Sequence, residues 1–360
     1  MILPLVMTVL LAVVLTGLQI RISRTFRISS APRLDRWHRS PTPSSGGIAI
    51  YCAAAFVYLI WFRGEHRSVA LAATALWALG LLDDLVRLPP IAKFAGQALA
   101  AACLVASGVV FHATSSAPFN AFFSFFWLVG ITNAFNLIDN MDGLCSGVIV
   151  IISAFRCALL AANGIVADAS LCAIVAAAFA GFLFWNYRPA RIFMGDCGSM
   201  FAGFSLAALT IASPLPHTKA FLAGISYPLL TFTYPIFDTT LVSILRRLAG
   251  RPISIGGRDH SSHRLVAAGV SESRAVWILW MLTALGSSIG LLVNLMPFAV
   301  MISGALLWIS LAFFGRFLAS YLGGERRPIT TPNCMTVPYG SPSPSENFIA
   351  VIPLRNDTAN

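Results

Sequence analysis

The sequence predicts an all-α membrane protein, a bundle of about eleven transmembrane helices, and three observations support this. Of the 360 residues, 57% are hydrophobic and only 11% are charged, at a mean hydropathy of +0.79. A soluble domain carries about 25% charged residues. Apolar runs of about 18–25 residues, long enough to cross a bilayer, recur along the whole chain. Finally, arginines concentrate in alternate loops, as topology requires in a multi-pass protein.

The predicted spans follow one another with short polar loops between them. We place them at residues 2–20, 44–62, 68–82, 91–110, 118–133, 144–162, 167–185, 197–212, 217–245, 274–293 and 296–315. The first run lacks a small-residue cleavage site, so we interpret it as a retained helix and not a signal peptide. The ninth contains Pro228 and Pro235, which predict a kinked or broken helix. Membrane helices tolerate such breaks when neighbouring groups satisfy the freed backbone.

The distribution of positive charge predicts the orientation. If the N-terminus is outside, the odd-numbered loops and the tail are cytosolic, and they hold most of the 24 Lys and Arg. Positive loops stay in the cytosol. We therefore expect an inner (plasma) membrane protein with an external N-terminus and a cytosolic C-terminus. The net charge of +10 is then mainly a topology signal, and no nucleic-acid partner is expected.

The chain is predicted to contain one membrane domain, residues 1–324, followed by a cytosolic tail, residues 325–360. The tail is rich in Pro, Ser, Thr and Asn, a composition typical of disorder. The seven cysteines are scattered and form no CxxC or zinc-type spacing. We expect buried thiols rather than disulfides.

Most of the 14 Asp and Glu fall on the predicted cytosolic side, where ionisable groups at membrane depth are usually functional. Asp83 and Asp84 are adjacent at the mouth of a span, where they repel each other unless a cation intervenes. A hard divalent ion such as Mg²⁺ solves that problem. Two solvated acids at a helix end next to Arg87 explain the pair equally well. Lys93 follows closely and could reach a phosphate.

The segment NAFNLIDNMDGL, residues 133–144, places polar side chains beside membrane-buried stretches. On a helix, a spacing of three puts Asn133, Asn136, Asp139 and Asp142 along one drifting stripe. A stripe of oxygen ligands at the inner membrane surface is difficult to explain by packing. We therefore interpret this segment as part of a binding site.

The segment FMGDCGSMFAGF, residues 193–204, begins another span. Asp196 and Ser199 lie at its start, and Gly195 and Gly198 remove side-chain bulk. Backbone N–H groups at such a start favour an anion, including a metal-bound phosphate. A capped helix start, which Asp serves well, is the alternative interpretation.

The ninth loop, RPISIGGRDHSSHRLVAAG, residues 251–269, holds an acid, two histidines and an arginine in close succession: Asp259, His260, His263 and Arg264. Cationic donors suit the anionic oxygens of a nucleotide diphosphate. As a zinc site the ligand set is incomplete, because two histidines three residues apart have no third ligand nearby. A merely basic cytosolic loop is the other alternative. The first loop, RLDRWHRSPTPSSGG, repeats this chemistry with Asp35 and His38.

In this order and spacing, these blocks resemble the polyprenyl-phosphate N-acetylhexosamine-1-phosphate transferases, glycosyltransferase family 4. The family includes the translocase that makes lipid I and the enzymes that start O-antigen and teichoic acid linkage units. Its Asp pair falls on Asp83 and Asp84, and its phosphate-binding lysine falls on Lys93. Its Asn-x-x-Asn-x-x-Asp-Gly-x-Asp-Gly block falls on residues 133–143. Its Gly-Asp-x-Gly-Ser block falls on residues 195–199, and its His-x-His-His-Arg-Leu block falls on residues 260–265. The motifs cover residues 20–270, and the spans extend the match to about 315. At two positions the sequence departs from the pattern: Asn140 replaces a glycine and Ser262 replaces the central histidine.

The resemblance implies a Mg²⁺-dependent enzyme, with Mn²⁺ as an alternative metal, whose active site is a cytosolic cleft. It implies transfer of a sugar-1-phosphate, N-acetylhexosamine-1-phosphate in the first instance, from a UDP-sugar to undecaprenyl phosphate, releasing UMP. This would start a cell-envelope polysaccharide such as an O antigen. UDP-N-acetylglucosamine is the first-choice donor, and a homodimer is considered as the assembly. The implied catalytic residues are Asp83, Asp84 and Lys93, the metal ligands Asn136 and Asp196, and the substrate-binding residues Asn133, Asp139, Asp142, Phe193, His260, His263, Arg264 and His38.

A secondary transporter of anionic solutes is the alternative from another class. It would share the number of spans and the intramembrane acids. Transporters usually show repeat symmetry, which we do not find in this sequence. Membrane prenyltransferases also bind diphosphate with two Asp-rich motifs, but the His-Arg loop does not belong to them.

Overall fold

The computed structural model describes residues 2–26, 42–112, 114–213, 221–252, 257–292 and 295–321. Within these ranges the chain forms thirteen helices and one four-residue strand, which confirms the predicted helical membrane bundle. His38 and the predicted disordered tail, residues 325–360, lie outside the described residues. The role of His38 and the division into domain and tail therefore stay predictions.

The first seven helices and the strand are α1 (Ile2–Thr25), α2 (Gly46–Trp61), β1 (Arg63–His66), α3 (Arg67–Val86), α4 (Pro90–Ala106), α5 (Ala117–Ile138), α6 (Leu144–Ala162) and α7 (Val166–Asn186). The remaining six are α8 (Gly195–Ala212), α9 (Phe221–Thr231), α10 (Thr233–Leu248), α11 (Ser261–Ala267), α12 (Glu272–Leu291) and α13 (Pro297–Ala319).

Each predicted span coincides with a helix, but not all eleven have full spanning length. Among the described residues, eight helices are long and apolar enough to cross a membrane. At position nine, residues Ile225–Thr231 and Thr233–Leu248 meet at a bend of 77°, so the predicted break is confirmed. Helices α2 and α4 have only 16 and 17 residues. At 1.5 Å per residue they reach about 24–26 Å, short of a hydrocarbon core of about 30 Å.

Helix α8 lies at the centre of the bundle, with 89% of its most apolar window buried. It packs against α2, α3 and α5. Two contacts are so close that they require glycine: a Cβ on Gly47 would lie 2.3 Å from the Gly198 nitrogen, and one on Gly80 would lie 2.6 Å from the Asp196 oxygen. Small residues let membrane helices approach backbone to backbone. The end of α3 is therefore held directly against the start of α8.

We expect Gly80→Ala to lower the free energy of unfolding by about 1–3 kcal/mol, the usual range for overpacking a tight contact. The added methyl group would meet backbone atoms of Asp196 and Cys197, which cannot swing aside as a flexible side chain would. Thermal unfolding in detergent measures the change. Gly130→Ala is the matched control, because a Cβ on Gly130 has no neighbouring atom within 4 Å. Equal stability of the two variants would contradict this account of the α3–α8 contact.

Arg156, a buried positive charge on α6, is neutralised by the C-terminus of α8. Arg156, only 3% exposed, donates to the backbone oxygens of Leu209 at 3.3 Å and Ser213 at 2.5 Å. The last carbonyl groups of a helix have no partner within the helix, and they carry partial negative charge. Arg156 therefore satisfies the C-terminus of α8 and serves the fold.

Candidate active site

Four helix ends meet at one end of the bundle, and each contributes a polar side chain. The C-termini of α3 and α5 bring Asp83 and Asn136, and the N-termini of α4 and α8 bring Lys93 and Asp196. Three different predicted motifs are thus joined in one cluster. Asp83 and Lys93 are close in the chain, but Asn136 and Asp196 are brought to them only by the packing of these helices.

Lys93 lies at the centre of this cluster. Its Nζ atom is 3.0 Å from Asp83 Oδ2 and forms a second ion pair with the carboxylate of Asp196. The side chains of Lys93, Asp83 and Asp196 are 17%, 13% and 25% exposed, so solvent reaches them only in part. Asp83 Oδ1 also accepts the Leu88 N–H at 2.7 Å. One ammonium group therefore faces two carboxylates, and one negative charge remains for another cation.

Asn136 extends the cluster along α5. Its Nδ2 atom donates to Asp196 Oδ1 and to Ser199 Oγ, both at 3.0 Å. The amide presents its donor to the acid in this arrangement. To serve as a metal ligand, as predicted, Asn136 would have to turn its amide oxygen toward Asp196.

Asp84 points away from Lys93 and toward the backbone of α8. Its two carboxylate oxygens accept the N–H groups of Asp196 at 2.9 Å and Cys197 at 3.0 Å. Gly195 makes this approach possible: its φ is +75°, and a Cβ there would lie 2.6 Å from Asp84 Oδ2. A carboxylate at a helix N-terminus is favourable. These contacts favour a positioning task for Asp84, which holds Asp196 in place.

The single helical stripe predicted for residues 133–144 is wrong beyond Asn136. Helix α5 ends at Ile138, and Asp139 is its C-cap. Asp142 lies in the following turn, which closes at Gly143 with a φ of +72°. Asn, Asp and Gly favour turns of this kind. We call residues 139–143 the acidic turn.

Two predicted substrate-binding residues of this segment hold neighbouring elements. Asn133 Nδ2 donates to Gln97 Oε1 of α4 at 2.6 Å. Asp142 Oδ2 accepts the Ala190 N–H at 2.9 Å, which ties the acidic turn to the loop before α8. Phe193, in the same loop, accepts the Gly46 N–H through its backbone oxygen at 3.0 Å, and its ring is half-buried. Their predicted contacts with substrate stay predictions.

The histidine segment is anchored at several points. His260, His263 and Arg264 are 4%, 3% and 5% exposed. His260 Nδ1 lies 2.7 Å from Asp238 Oδ2 of α10. Arg264 donates to the Asp259 oxygen at 2.7 Å and to the Leu318 oxygen at 3.3 Å. These contacts favour a structural role for Arg264, and its predicted contact with a nucleotide stays a prediction.

Arg246 supports the same segment from α10. Its guanidinium donates to the Asp259 carboxylate through two of its nitrogens, Nε at 2.7 Å and Nη2 at 2.6 Å. Burial alone would raise the pKa of Asp259, but the hydrogen bonds and charge of Arg246 outweigh burial and hold this pKa below its usual range. Sequence reasoning missed Arg246 and Gln97, since neither lies in a motif. Asp238 stands out in the sequence only as an acid near the end of the ninth predicted span, residues 217–245.

His263 is predicted to make the fold sensitive to acid. Burial, and then the positive charge of His260, lower the pKa of His263 from 6.5 to about 4. The unfolded chain gains a proton below about 6.5, while the folded chain resists it down to about 4, so stability falls as pH drops through this window. We expect the thermal midpoint of His263→Asn to fall less between pH 7 and pH 5 than that of the unmutated protein. The exposed His112, replaced by Asn, is the control; equal slopes for both variants would refute this.

The donor set at the four helix ends fits a hard divalent cation. In the described ranges, no three His, Cys, Asp or Glu side chains lie close enough to hold a metal among themselves. Two carboxylates and an amide remain: Asp83, Asp196 and Asn136. Mg²⁺ usually takes one or two protein carboxylates and completes its shell with water and substrate phosphates. The site is therefore suited to a metal that arrives with, or completes its shell from, a phosphate.

Fold and site together define a multi-pass helical membrane protein with a cluster of acidic, basic and amide side chains where four helices end. Comparison with known proteins shows that the chain belongs to glycosyl transferase family 4, whose profile matches residues 66–214. Over 318 residues it is 31% identical to the probable undecaprenyl-phosphate N-acetylglucosaminyl 1-phosphate transferase of Bacillus subtilis, covering 85% of this chain and 86% of the relative. The resemblance stated from the motifs is thereby confirmed.

Two further relatives act on different sugars or lipids by name. The decaprenyl-phosphate N-acetylglucosaminephosphotransferase of Mycolicibacterium smegmatis is 32% identical over 289 residues, covering 69% of this chain and 71% of the relative. The phospho-N-acetylmuramoyl-pentapeptide-transferase of Streptococcus equi subsp. zooepidemicus is 30% identical over 300 residues, covering 73% and 86%. Similar identities to relatives with different substrates leave the sugar to be argued separately.

Proposed function

We propose that this protein transfers a sugar-1-phosphate from a UDP-sugar to a polyprenyl phosphate, giving a polyprenyl-diphosphate sugar and UMP. N-acetylglucosamine 1-phosphate is the proposed group, and undecaprenyl phosphate the proposed acceptor. The cluster of Asp83, Lys93 and Asp196 supports this most directly. It offers both a cation and hard-metal ligands where membrane and cytosol would meet, so a lipid and a soluble nucleotide could both reach it.

The chemistry requires two anionic phosphates to approach each other. Lys93 reduces their repulsion, and Asp83 beside it orients or deprotonates the phosphate of the lipid. Asp196 and Asn136 would hold Mg²⁺, with Mn²⁺ as a substitute. When bound there, the ion would contribute positive charge that offsets the charge of the diphosphate and of the UMP that leaves. Asp84 holds the start of α8 in position by accepting the backbone N–H groups of Asp196 and Cys197.

Transport of an anionic solute is the competing function. Transporter sites usually lie near the middle of the membrane, where discontinuous helices meet. Here the acids lie at helix ends, and the broken pair α9–α10 contributes Asp238, which is paired with His260. This placement favours a reaction at the ends of the helices over the passage of a solute through the bundle.

UMP release by the purified protein tests the proposal. The protein in detergent is incubated with undecaprenyl phosphate, Mg²⁺ and, in turn, UDP-N-acetylglucosamine, UDP-N-acetylgalactosamine and UDP-glucose. We expect UMP and a lipid-linked sugar with UDP-N-acetylglucosamine, and neither product when the lipid or the metal is left out. Folded protein that releases UMP with no donor would refute the proposal.

The proposed orientation predicts a cytosolic C-terminus in the inner membrane. A reporter fused after Gly324 should give a cytosolic signal, because the arginine-rich loops are expected to stay inside. A second reporter before Ile2 should give an external signal. The reverse pattern would place the acidic cluster on the outer face, away from cytosolic UDP-sugars.

A further inference from the structure

The two departures from the family pattern are hydrogen-bonded to each other. Ser262 Oγ donates to Asn140 Oδ1 at 2.8 Å, although 122 residues separate them in the chain. Ser262 is fully buried, and Asn140 is half-buried. Asn140 also donates through Nδ2 to the Leu137 oxygen at 3.0 Å, so its amide orientation is fixed from both sides.

The two replacements are complementary in their chemistry. A glycine at position 140 would have no side chain to accept this bond. An imidazole at position 262 would occupy the place of the hydroxyl and is much larger. An amide oxygen and a serine hydroxyl instead form a short neutral link. A buried hydroxyl needs such a partner, because leaving it unsatisfied costs about 1–3 kcal/mol.

This bond joins two segments that carry proposed substrate-binding residues. Asn140 lies in the acidic turn, between Asp139 and Asp142. Ser262 lies in α11, between His260 and His263. Residues of α11 also contact other elements: His260 contacts Asp238 of α10, and Arg264 contacts Leu318 of α13. The Asn140–Ser262 bond joins the acidic turn directly to α11.

We infer that Asn140 and Ser262 are a positioning pair that determines which UDP-sugar the protein accepts. This inference rests on the proposed function. The pair holds the acidic turn against α11, and these two segments carry the residues that would contact the sugar of the donor. It does not touch Lys93, Asp83 or Asp196, so the chemistry of the diphosphate is expected to proceed without it.

A double-mutant cycle tests the pair. Asn140→Ala, Ser262→Ala and the double variant are compared in kcat, in KM for two UDP-N-acetylhexosamines and in KM for undecaprenyl phosphate. Loss of one buried hydrogen bond predicts about a five- to tenfold rise in KM for the preferred donor. The KM for the lipid should not change, and the ratio of the two donors should shift. Since one bond is shared, the double variant should be no worse than either single variant.

Two further variants separate this role from a general loss of stability. Asn140→Asp keeps the oxygen that Ser262 donates to but loses the amide that donates to Leu137, and it should keep the donor preference. Ser288→Ala removes an exposed hydroxyl, which bonds to the Ala284 oxygen in α12, and should leave all constants unchanged. If Ser262→Ala does not fold, Asn140→Ala tests the bond from its half-exposed side.

The outcomes also distinguish this inference from the proposed function. If the unmutated protein makes product and Asn140→Ala keeps its donor KM and preference, the positioning role is overturned. Additive losses in the cycle would overturn it as well. If the unmutated protein makes no product, the proposed function fails, and stabilisation against heating by each UDP-sugar then serves as the readout. If each UDP-sugar stabilised Asn140→Ala and the unmutated protein equally against heating, the positioning role of the pair would again be overturned.

Discussion

Asp196→Asn is expected to lower kcat for UMP release by about 10²- to 10³-fold, the loss typical of removing one preorganised charge stabiliser. The substitution keeps the shape of the side chain but removes a negative charge and a strong ligand for a hard cation. Asn136 and Lys93 both contact this carboxylate, so its charge is used from two sides. Turnover should also need more Mg²⁺ than in the unmutated protein.

Asp168→Asn is the matched control for this prediction. Asp168 accepts a hydrogen bond from His66 at 3.0 Å, in a pair made by the start of α7 and the strand β1. It makes no contact with the cluster of Asp83, Lys93 and Asp196. Near-normal kcat is expected for Asp168→Asn. If Asp196→Asn also turned over normally with unchanged Mg²⁺ dependence, Asp196 would have no place in the active site.

Lys93→Gln is expected to lower kcat by about 10²-fold and, at the same time, to lower the Mg²⁺ concentration that gives half-maximal activity. The substitution is expected to slow turnover but to strengthen Mg²⁺ binding, because Lys93 affects the substrates and the metal ligands in different ways. In the proposed reaction it stabilises the reacting phosphates, whereas in the free protein its ammonium lies between the carboxylates of Asp83 and Asp196. Without it, the carboxylates attract a divalent cation more strongly.

Arg247→Gln controls for the loss of one positive charge. Arg247 is exposed in the last turn of α10, a helix that contributes no side chain to the cluster of Asp83, Lys93 and Asp196. Its loss should change neither kcat nor the Mg²⁺ requirement. A fall in kcat of Lys93→Gln with a raised Mg²⁺ requirement would show that the lysine supports metal binding instead of competing with it.

The sequence was sufficient for the bundle because a membrane imposes a length on every apolar run. Even the break between Pro228 and Pro235 was visible, since proline removes a backbone donor from a helix. The shortness of α2 and α4 was harder to see. Their apolar residues continue into the loops, and the helix ends depend on tertiary contacts such as the hydrogen bond from Gly46 to Phe193.

The site was predictable in its residue types but not in its pairings. Lys93 and Asp83 are ten residues apart, so a local contact could be anticipated. The contact of Lys93 with Asp196 spans 103 residues and depends on the glycine-mediated approach of α3 to α8. A helical stripe through Asp142 failed because turn residues ended α5 first. The bond between Asn140 and Ser262 could not be inferred, because nothing local relates residues 122 positions apart.

The long separation between Asp84 and the amides that it binds has a consequence for biogenesis. Asp84 enters the membrane with α3, and its partner amide of Asp196 is synthesised 112 residues later. At about 5–20 residues per second, the ribosome needs roughly 6–22 s to supply it. During that interval Arg87 and Lys93 are the nearest positive charges in the sequence. Until α8 is made, the carboxylate of Asp84 therefore lacks the two backbone amides that it accepts in the folded protein.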